Sequence, residues 1–315
     1  MIPASFRYHR PKSVPAAIRL LQQHGPDAKV LAGGQSLLPL MKMRVSAPQH
    51  LIDVTRIPVL ARVRFVDGLL RVGATATHRT IEASSVVRRR APVLAETAAA
   101  IGDLQVRNLG TVGGSLAHAD PASDYPAAVL ALDAEMIVAG PSGERAVPAS
   151  EFFRGIMTTA VGPGEMLTEV RISEAGDGSG QAYLKMANPA SGFALTGVAA
   201  TVAVDSHGRC TLARIGITGV ASVAFRASAV EQALMGQMLT DDVIERAAAV
   251  ADAGVDAIDD LHAGAEYRRR LARVLTRRAV GVARDRAQQR SAKSASAPRA
   301  RPDVRDEDRP QAARP

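Results

Sequence analysis

"VLAGGQSLLPLMKMR" (30–44) and "LGTVGGSLAHADPASDYP" (109–126) carry one device twice. In the first, the apolar run Val30–Ala32 breaks at Gly33-Gly34, and Gln35 and Ser36 lead into a mostly apolar segment with helical character. In the second, Thr111 and Val112 precede Gly113-Gly114 and Ser115. A glycine pair leaving a strand permits positive φ and removes two Cβ atoms, so successive backbone N–H groups can converge on an anion. Ser36, Thr111 and Ser115 add hydroxyl donors, and a following helix would favour the same negative charge through its N-terminus. A tight turn or a packing glycine explains either pair taken alone. Two pairs of matching chemistry suggest the two phosphates of a diphosphate gripped from separate subdomains.

Working outward, "SVPAAIRLLQQHG" (13–25) reads as a helix capped by Ser13, with Ala17, Ile18 and Leu21 on one face and Gly25 at its end. "AKVLA" (28–32) and "HLIDVT" (50–55) read as strands on either side of the first glycine pair, giving a small parallel αβ unit over about 1–57. From 58 the pattern changes to alternation around Asp67-Gly68, a hairpin turn signal. Helices follow in "THRTIEASSVV", capped by Thr77, and in "APVLAETAAAIG". A second hairpin turns at Pro141–Gly143, and "EMLTEVRIS" (165–173) closes a mixed, largely antiparallel sheet over about 58–177.

"AGDGSGQ" (175–181) is a glycine-rich joint rather than a dinucleotide fingerprint, because no strand precedes it and no helix follows. Beyond it come three strand-like runs, "QAYLKMA", "ALTGVAATVAVD" and "CTLARIGITGV", and helices at about 225–236, 240–253 and 264–286. The last helix is expected to bury Leu271, Val274 (or Leu275) and Val282 and to solvate its arginines. The expected fold class is α+β: a two-subdomain unit over 1–177, a C-terminal domain over 178–286 with a three-stranded antiparallel sheet and helices, and a disordered basic tail over 287–315.

Composition limits the function. The tail from 286 holds eight Arg/Lys against four Asp/Glu, half of the chain's net charge of +8, and only 3% of residues are aromatic. A solvated tail therefore explains the charge better than nucleic-acid binding. No apolar run approaches the ~20 residues of a membrane span and no secretory signal opens the chain, so a soluble cytoplasmic protein is expected. Cys210 is the only cysteine, which excludes an internal disulfide, and an iron–sulfur cluster typically needs about four thiolates. His118, Asp120 and Asp124 can be drawn around a metal on paper, but nothing nearby adds an imidazole or soft ligand. Asp124 has two other readings: a helix N-cap, a role Ser123 would also fill, or an acceptor for sugar or ribityl hydroxyls.

"AGGQSLLPLMKMR", "LGTVGGSLAHADPASDYPA" and the opening "MIPASFRYHRPKSV" together resemble the FAD-binding medium subunit of the molybdenum hydroxylases, the group of carbon monoxide and xanthine dehydrogenases. The resemblance spans about 1–285. It implies the PCMH-type fold, two subdomains clasping FAD, with the diphosphate held by Ala32, Gly33, Gly34, Gln35 and Ser36 and by Thr111, Val112, Gly113, Gly114 and Ser115. It further implies Ile101, Met166 and Leu167 as apolar contacts of the cofactor, Asp124 as the acid on its hydroxyls and Lys185 as a cation near the flavin; a strand lysine otherwise serves solubility. No catalytic acid, base or nucleophile and no metal ligand is implied. The 2Fe-2S clusters and molybdenum cofactor would sit on a small and a large partner subunit, in a dimer of heterotrimers. This chain would pass electrons to quinone, oxygen or NAD. Gln35, Ser115 and Phe193 stand where carbon monoxide-oxidising members tend to carry His, Asn and Tyr, which separates the flavin assignment from any particular substrate. The alternative is a stand-alone flavin oxidase of the same two-loop fold, often covalently linked through His or Cys; neither glycine motif offers a cysteine.

Overall fold

The fold comes from a computed structural model whose described residues are 2–176 and 178–296. The first lobe contains β1 (Arg7–His9), α1 (Val14–His24), β2 (Ala28–Leu31), α2 (Leu37–Lys42) and β3 (His50–Asp53). Its strands form a parallel sheet in the order β1-β3-β2. The helix α1 starts where Ser13 Oγ accepts from the Ala16 amide, and it buries Ala17, Ile18 and Leu21 with Ile52, Val54 and Met166. β1 was not anticipated, since "RYH" is short and has no apolar alternation.

The second lobe begins with β4 (Val63–Val66) and β5 (Leu69–Gly73), joined by Asp67 and Gly68, both at positive φ as a two-residue hairpin of this hand requires. Then come α3 (His78–Ala83), α4 (Ser85–Arg90), α5 (Pro92–Ala100), α6 (Leu104–Leu109), α7 (Val112–His118) and α8 (Tyr125–Ala131). The lobe closes with β6 (Glu135–Gly140), β7 (Gly143–Pro148), α9 (Ala149–Phe152), the short pair β8 (Phe153–Gly155) and β9 (Thr158–Thr159), and β10 (Met166–Ser173). Its main sheet runs β4-β5-β10-β6-β7 with every neighbour antiparallel. Against one face pack the helices carrying Val93, Leu94, Leu116, Tyr125 and Val129.

The C-terminal sheet is β11 (Ser179–Ala187), β12 (Ala194–Val204), β13 (Cys210–Thr218) and a two-residue fourth strand, β14 (Phe225–Arg226), beyond the three expected. Its helices are α10 (Ser228–Leu234), α11 (Asp241–Ala248) and α12 (Ala265–Ser296). α12 corrects two expectations. It continues to Ser296, so the tail does not start at 287; residues 297–315 lie outside the described residues. Leu271 and Leu275 are buried as expected, but the face continues through Ala279, Val280, Ala283 and Ala287, while Val274 and Val282 turn outward. Small side chains win because α12 lies almost on the β11 backbone: a Cβ on Gly180 would stand 2.5 Å from the Ala287 nitrogen. α8 is equally close to β13, where a Cβ on Gly216 would meet the Ala127 carbonyl carbon at 2.9 Å. The C-terminal sheet is thereby pressed onto the helices of the second lobe, and Tyr183 and Ala199 complete that lobe's core. No described helix is long and apolar enough to cross a membrane.

Candidate functional site

The two glycine motifs meet. A Cβ on Gly33 would run into the Leu109 carbonyl oxygen and stand 2.7 Å from Gly110 Cα, so the first lobe approaches the second to backbone contact just before Thr111. Gly34 has φ +71, as a glycine pair leaving a strand was expected to need. Among the described residues, the amides of Gly33, Gly34, Gln35 and Ser36 donate no intramolecular hydrogen bond, and Ser36 begins α2 without using its hydroxyl as a cap. Ala32 packs at the edge of the first lobe's core. The first motif thus presents a row of uncommitted donors.

The second motif is built differently, which corrects the expectation of two like loops. Gly113, Gly114 and Ser115 lie in the first turns of α7, with Thr111 as N-cap: its Oγ1 accepts from the Gly114 amide at 3.1 Å. The amides of Val112 and Gly113 donate to the carbonyls of Ala76 and Ala74 at 3.1 and 2.9 Å. These amides are spent on the fold. Gly113 is there for packing, since a Cβ would stand 2.7 Å from the Ala74 oxygen. Gly114 is exposed, and the only close neighbour of a Cβ there would be Thr111 Oγ1. Its bare surface faces outward beside the Ser115 hydroxyl, which pairs with Ser123 Oγ at 2.8 Å.

Behind this face lies a buried polar knot. Asp124 precedes α8, but its carboxylate does not cap the helix. Instead it accepts from Tyr183 Oη at 2.5 Å and from Lys185 Nζ at 2.9 and 3.0 Å. Lys185 also donates to the Ala100 carbonyl at 2.7 Å, at the end of α5 and next to Ile101. The two side chains are 4% and 6% exposed, too little for unpaired charge, which is why all three lysine protons find acceptors. Burial pushes the Asp124 carboxyl upward, against the pull of Lys185 and Tyr183. β13 ties the same loop down: Thr218 Oγ1 donates to the Ser123 carbonyl at 2.7 Å, with the Pro121 carbonyl 3.0 Å away. Asp124 is therefore engaged inward, and the imagined grouping of His118, Asp120 and Asp124 around a metal does not form.

Of the remaining expected residues, Ile101 adjoins this knot through Ala100, while Met166 and Leu167 lie elsewhere. Ile101 is half-buried and ends α5; the loop bearing Phe193, 45% exposed, approaches it, since a Cβ on Gly192 would stand 3.3 Å from Gly102 Cα. Met166 and Leu167 are buried in different cores, the first with α1 and the second with the helices of the second lobe. Two contributors were missed, Tyr183 and His78, and Ser123, read only as a possible helix cap, pairs with Ser115 instead. Tyr183 was legible, because strand period two puts it on the face of Lys185. His78 lies behind Gly110, its Nδ1 3.1 Å from Tyr125 Oη, and burial followed by the Arg107 charge lowers it to about 4.

An α+β chain in which a small parallel lobe sets free amides against a glycine-faced helix, backed by a C-terminal sheet, has the architecture of a two-lobed flavoprotein. The model described as FAD binding domain in molybdopterin dehydrogenase matches residues 4–174, and that described as CO dehydrogenase flavoprotein C-terminal domain matches 181–283. The chain belongs to this family of FAD-binding medium subunits of molybdenum hydroxylases. It is 40% identical over 283 residues to the carbon monoxide dehydrogenase medium chain of Hydrogenophaga pseudoflava, covering 90% of this chain and 98% of that one. To the 6-hydroxypseudooxynicotine dehydrogenase complex subunit alpha of Paenarthrobacter nicotinovorans it is 38% identical over 287 residues, 91% and 97% of the two chains. Among solved structures it matches carbon monoxide dehydrogenase from Hydrogenophaga pseudoflava with a TM-score of 0.88 and 42% identity, over 91% of this chain and 99% of that one.

Proposed function

We propose that this chain seats FAD between its first lobe (about 1–57) and second lobe (about 58–177), with the C-terminal domain (178–286) behind, and that it passes electrons from an iron–sulfur partner subunit to an external acceptor such as quinone, oxygen or NAD. The observation that carries the reading is the backbone contact between Gly33 and Leu109–Gly110, which sets the first glycine motif against the start of the second.

The donor set fits a dinucleotide. The free amides from Gly33 to Ser36, next to Ala32, suit the diphosphate, with the hydroxyls of Ser36, Thr111 and Ser115 added around it. Gly114 leaves van der Waals room on the facing helix, while Val112 and Gly113 hold that helix to residues 74–76. Ile101 supplies apolar surface at the far end. Met166 and Leu167 support the floor from within the two cores. When bound, FAD accepts electrons singly and releases them in pairs, which suits a junction between iron–sulfur centres and a two-electron acceptor. Lys185, fixed by Asp124 and Ala100, holds positive charge beside Ile101, where it favours negative charge arriving on a neighbouring ring. Asp124 acts by positioning Lys185, and Ser123 separately pairs with Ser115. No side chain is assigned a proton-transfer step.

With a single buried cysteine, the chain leaves the clusters to a partner and the molybdenum cofactor to a larger one, in a dimer of heterotrimers. Purification with co-eluting partners, followed by a visible spectrum and metal count for each subunit, tests the assignment. Flavin on this chain with iron and molybdenum on its companions is expected; an intact complex whose flavin is absent or lies on another subunit overturns it.

A further inference from the structure

The seven histidines look scattered along the sequence, yet three of them converge at one end of the first lobe. His9 closes β1, His24 ends α1 and His50 opens β3. One ring nitrogen from each lies within 4.8 Å of the others, and His9 Nε2 is 2.8 Å from His50 Nδ1. The His24 and His50 rings stack with centroids 3.6 Å apart. β2 and β3 run parallel with Ala28 beside His50 and Leu31 beside Asp53. At about 3.3 Å per residue, the cluster is therefore roughly 10 Å from the strand ends that lead to the first glycine motif.

We propose that His9, His24 and His50 form a binding site for a borderline divalent transition-metal ion of the zinc, nickel or copper class. Three imidazoles are the donor set such ions prefer, and an oxygen ligand completes a four-coordinate shell. Zinc–nitrogen bonds of about 2.0–2.1 Å place tetrahedral ligand atoms about 3.3 Å apart. The His9–His50 pair must open by about half an ångström from its hydrogen bond, and His24 must rotate out of the stack. Both are side-chain torsions that leave the strands in place. Asp27, just beyond α1, is the acid whose field reaches this cluster, while Arg7 opposes it. The C-terminal end of α1 also favours a cation. Because the three ligands come from three elements, the ion would staple β1 and the end of α1 to β3.

The test uses the full-length chain, treated with chelator and dialysed against Zn2+. One saturable ion per chain is expected. His24→Gln should weaken binding by about tenfold or more, and His207→Gln, on an exposed turn, should leave it unchanged. Circular dichroism and flavin content check that the variants fold, and flavin content reports on the FAD assignment separately. Zinc-edge X-ray absorption of the wild-type protein should show three imidazole ligands, a readout that stands even if His24→Gln does not fold. Non-saturable uptake, equal affinity in His24→Gln, or fewer than three imidazoles at the zinc would mean adventitious surface binding and overturn the proposal.

Discussion

Gly33→Ala is the sharpest test of the lobe contact. The new methyl would stand 2.7 Å from Gly110 Cα and 2.8 Å from the Leu109 carbonyl carbon, with the Leu109 oxygen nearer still. Carbon–carbon contacts are comfortable at about 3.5–4.0 Å, so the two segments must separate by roughly 1 Å. Neither can yield by changing a rotamer, because every atom struck is backbone. Overpacking of this kind costs about 1–3 kcal/mol. At about 2 °C per kcal/mol for a chain of this length, the melting temperature of flavin-free protein should fall by about 2–6 °C.

The same displacement moves the free amides of the first motif away from Thr111 and Ser115, so flavin retention should fall with it. Two measurements separate the effects: a thermal melt after flavin removal, and the flavin-to-protein absorbance ratio after desalting. Gly281→Ala is the control; its methyl meets nothing within 4 Å on α12. Replacing a helical glycine should stabilise by up to about 1 kcal/mol without touching flavin content. A Gly33→Ala protein with unchanged melting temperature and a full complement of flavin would refute the reasoning.

Three further outcomes are expected. Lys185→Met should destabilise by about 3–5 kcal/mol in denaturant unfolding, because it strands the 4%-exposed Asp124 carboxylate, and Lys185→Met with Asp124→Leu should recover much of the loss. His78 is lowered to about 4 from an ordinary 6.5, so the unfolded chain takes up its proton first as pH falls; this residue's share of stability is full above pH 6.5, falls by about 3 kcal/mol towards pH 4 and then levels. Subtracting the melting profile of His78→Gln from that of the wild type across this window isolates the effect. Truncation after residue 296 should leave flavin content and melting temperature unchanged. Truncation after 286 removes buried Ala287 and the Arg290 bond to the Ser179 carbonyl, and should lower the melting temperature by several degrees.

Much of this architecture was legible because its signals are local. Ser13 and Thr77 cap the helices they were expected to cap, and Asp67-Gly68 turns its hairpin. The short elements were not, since three residues of β1 or six of α6 carry no periodicity. The face of α12 was misjudged for another reason: ranking Val282 above Ala279 and Ala283 assumes that burial follows hydrophobicity. Leu271 and Leu275 are buried as expected, but around Ala283 and Ala287 the backbone of Gly180 lies so close that small side chains take the buried face.

The site divides the same way. Its residue types were readable, but the partition of labour between its halves was not, because both halves spell Gly-Gly-x-Ser or Gly-Gly-Ser while their backbones differ. The first pair follows a strand and turns at Gly34, whose φ is positive, and its amides are left free. The second follows Thr111, whose side chain takes the amide three residues on and commits the segment to a helix. Thr111-x-x-Gly114 is itself an N-cap spacing, so the difference was written in the sequence, though in the grammar of helix starts rather than of anion loops. A cofactor held by amides on one side and by hydroxyls and bare glycine surface on the other loses most when the amide side moves. Substitutions in 33–36 should therefore empty the site more completely than substitutions of Thr111 or Ser115, and flavin ratios across the two sets decide whether that asymmetry holds.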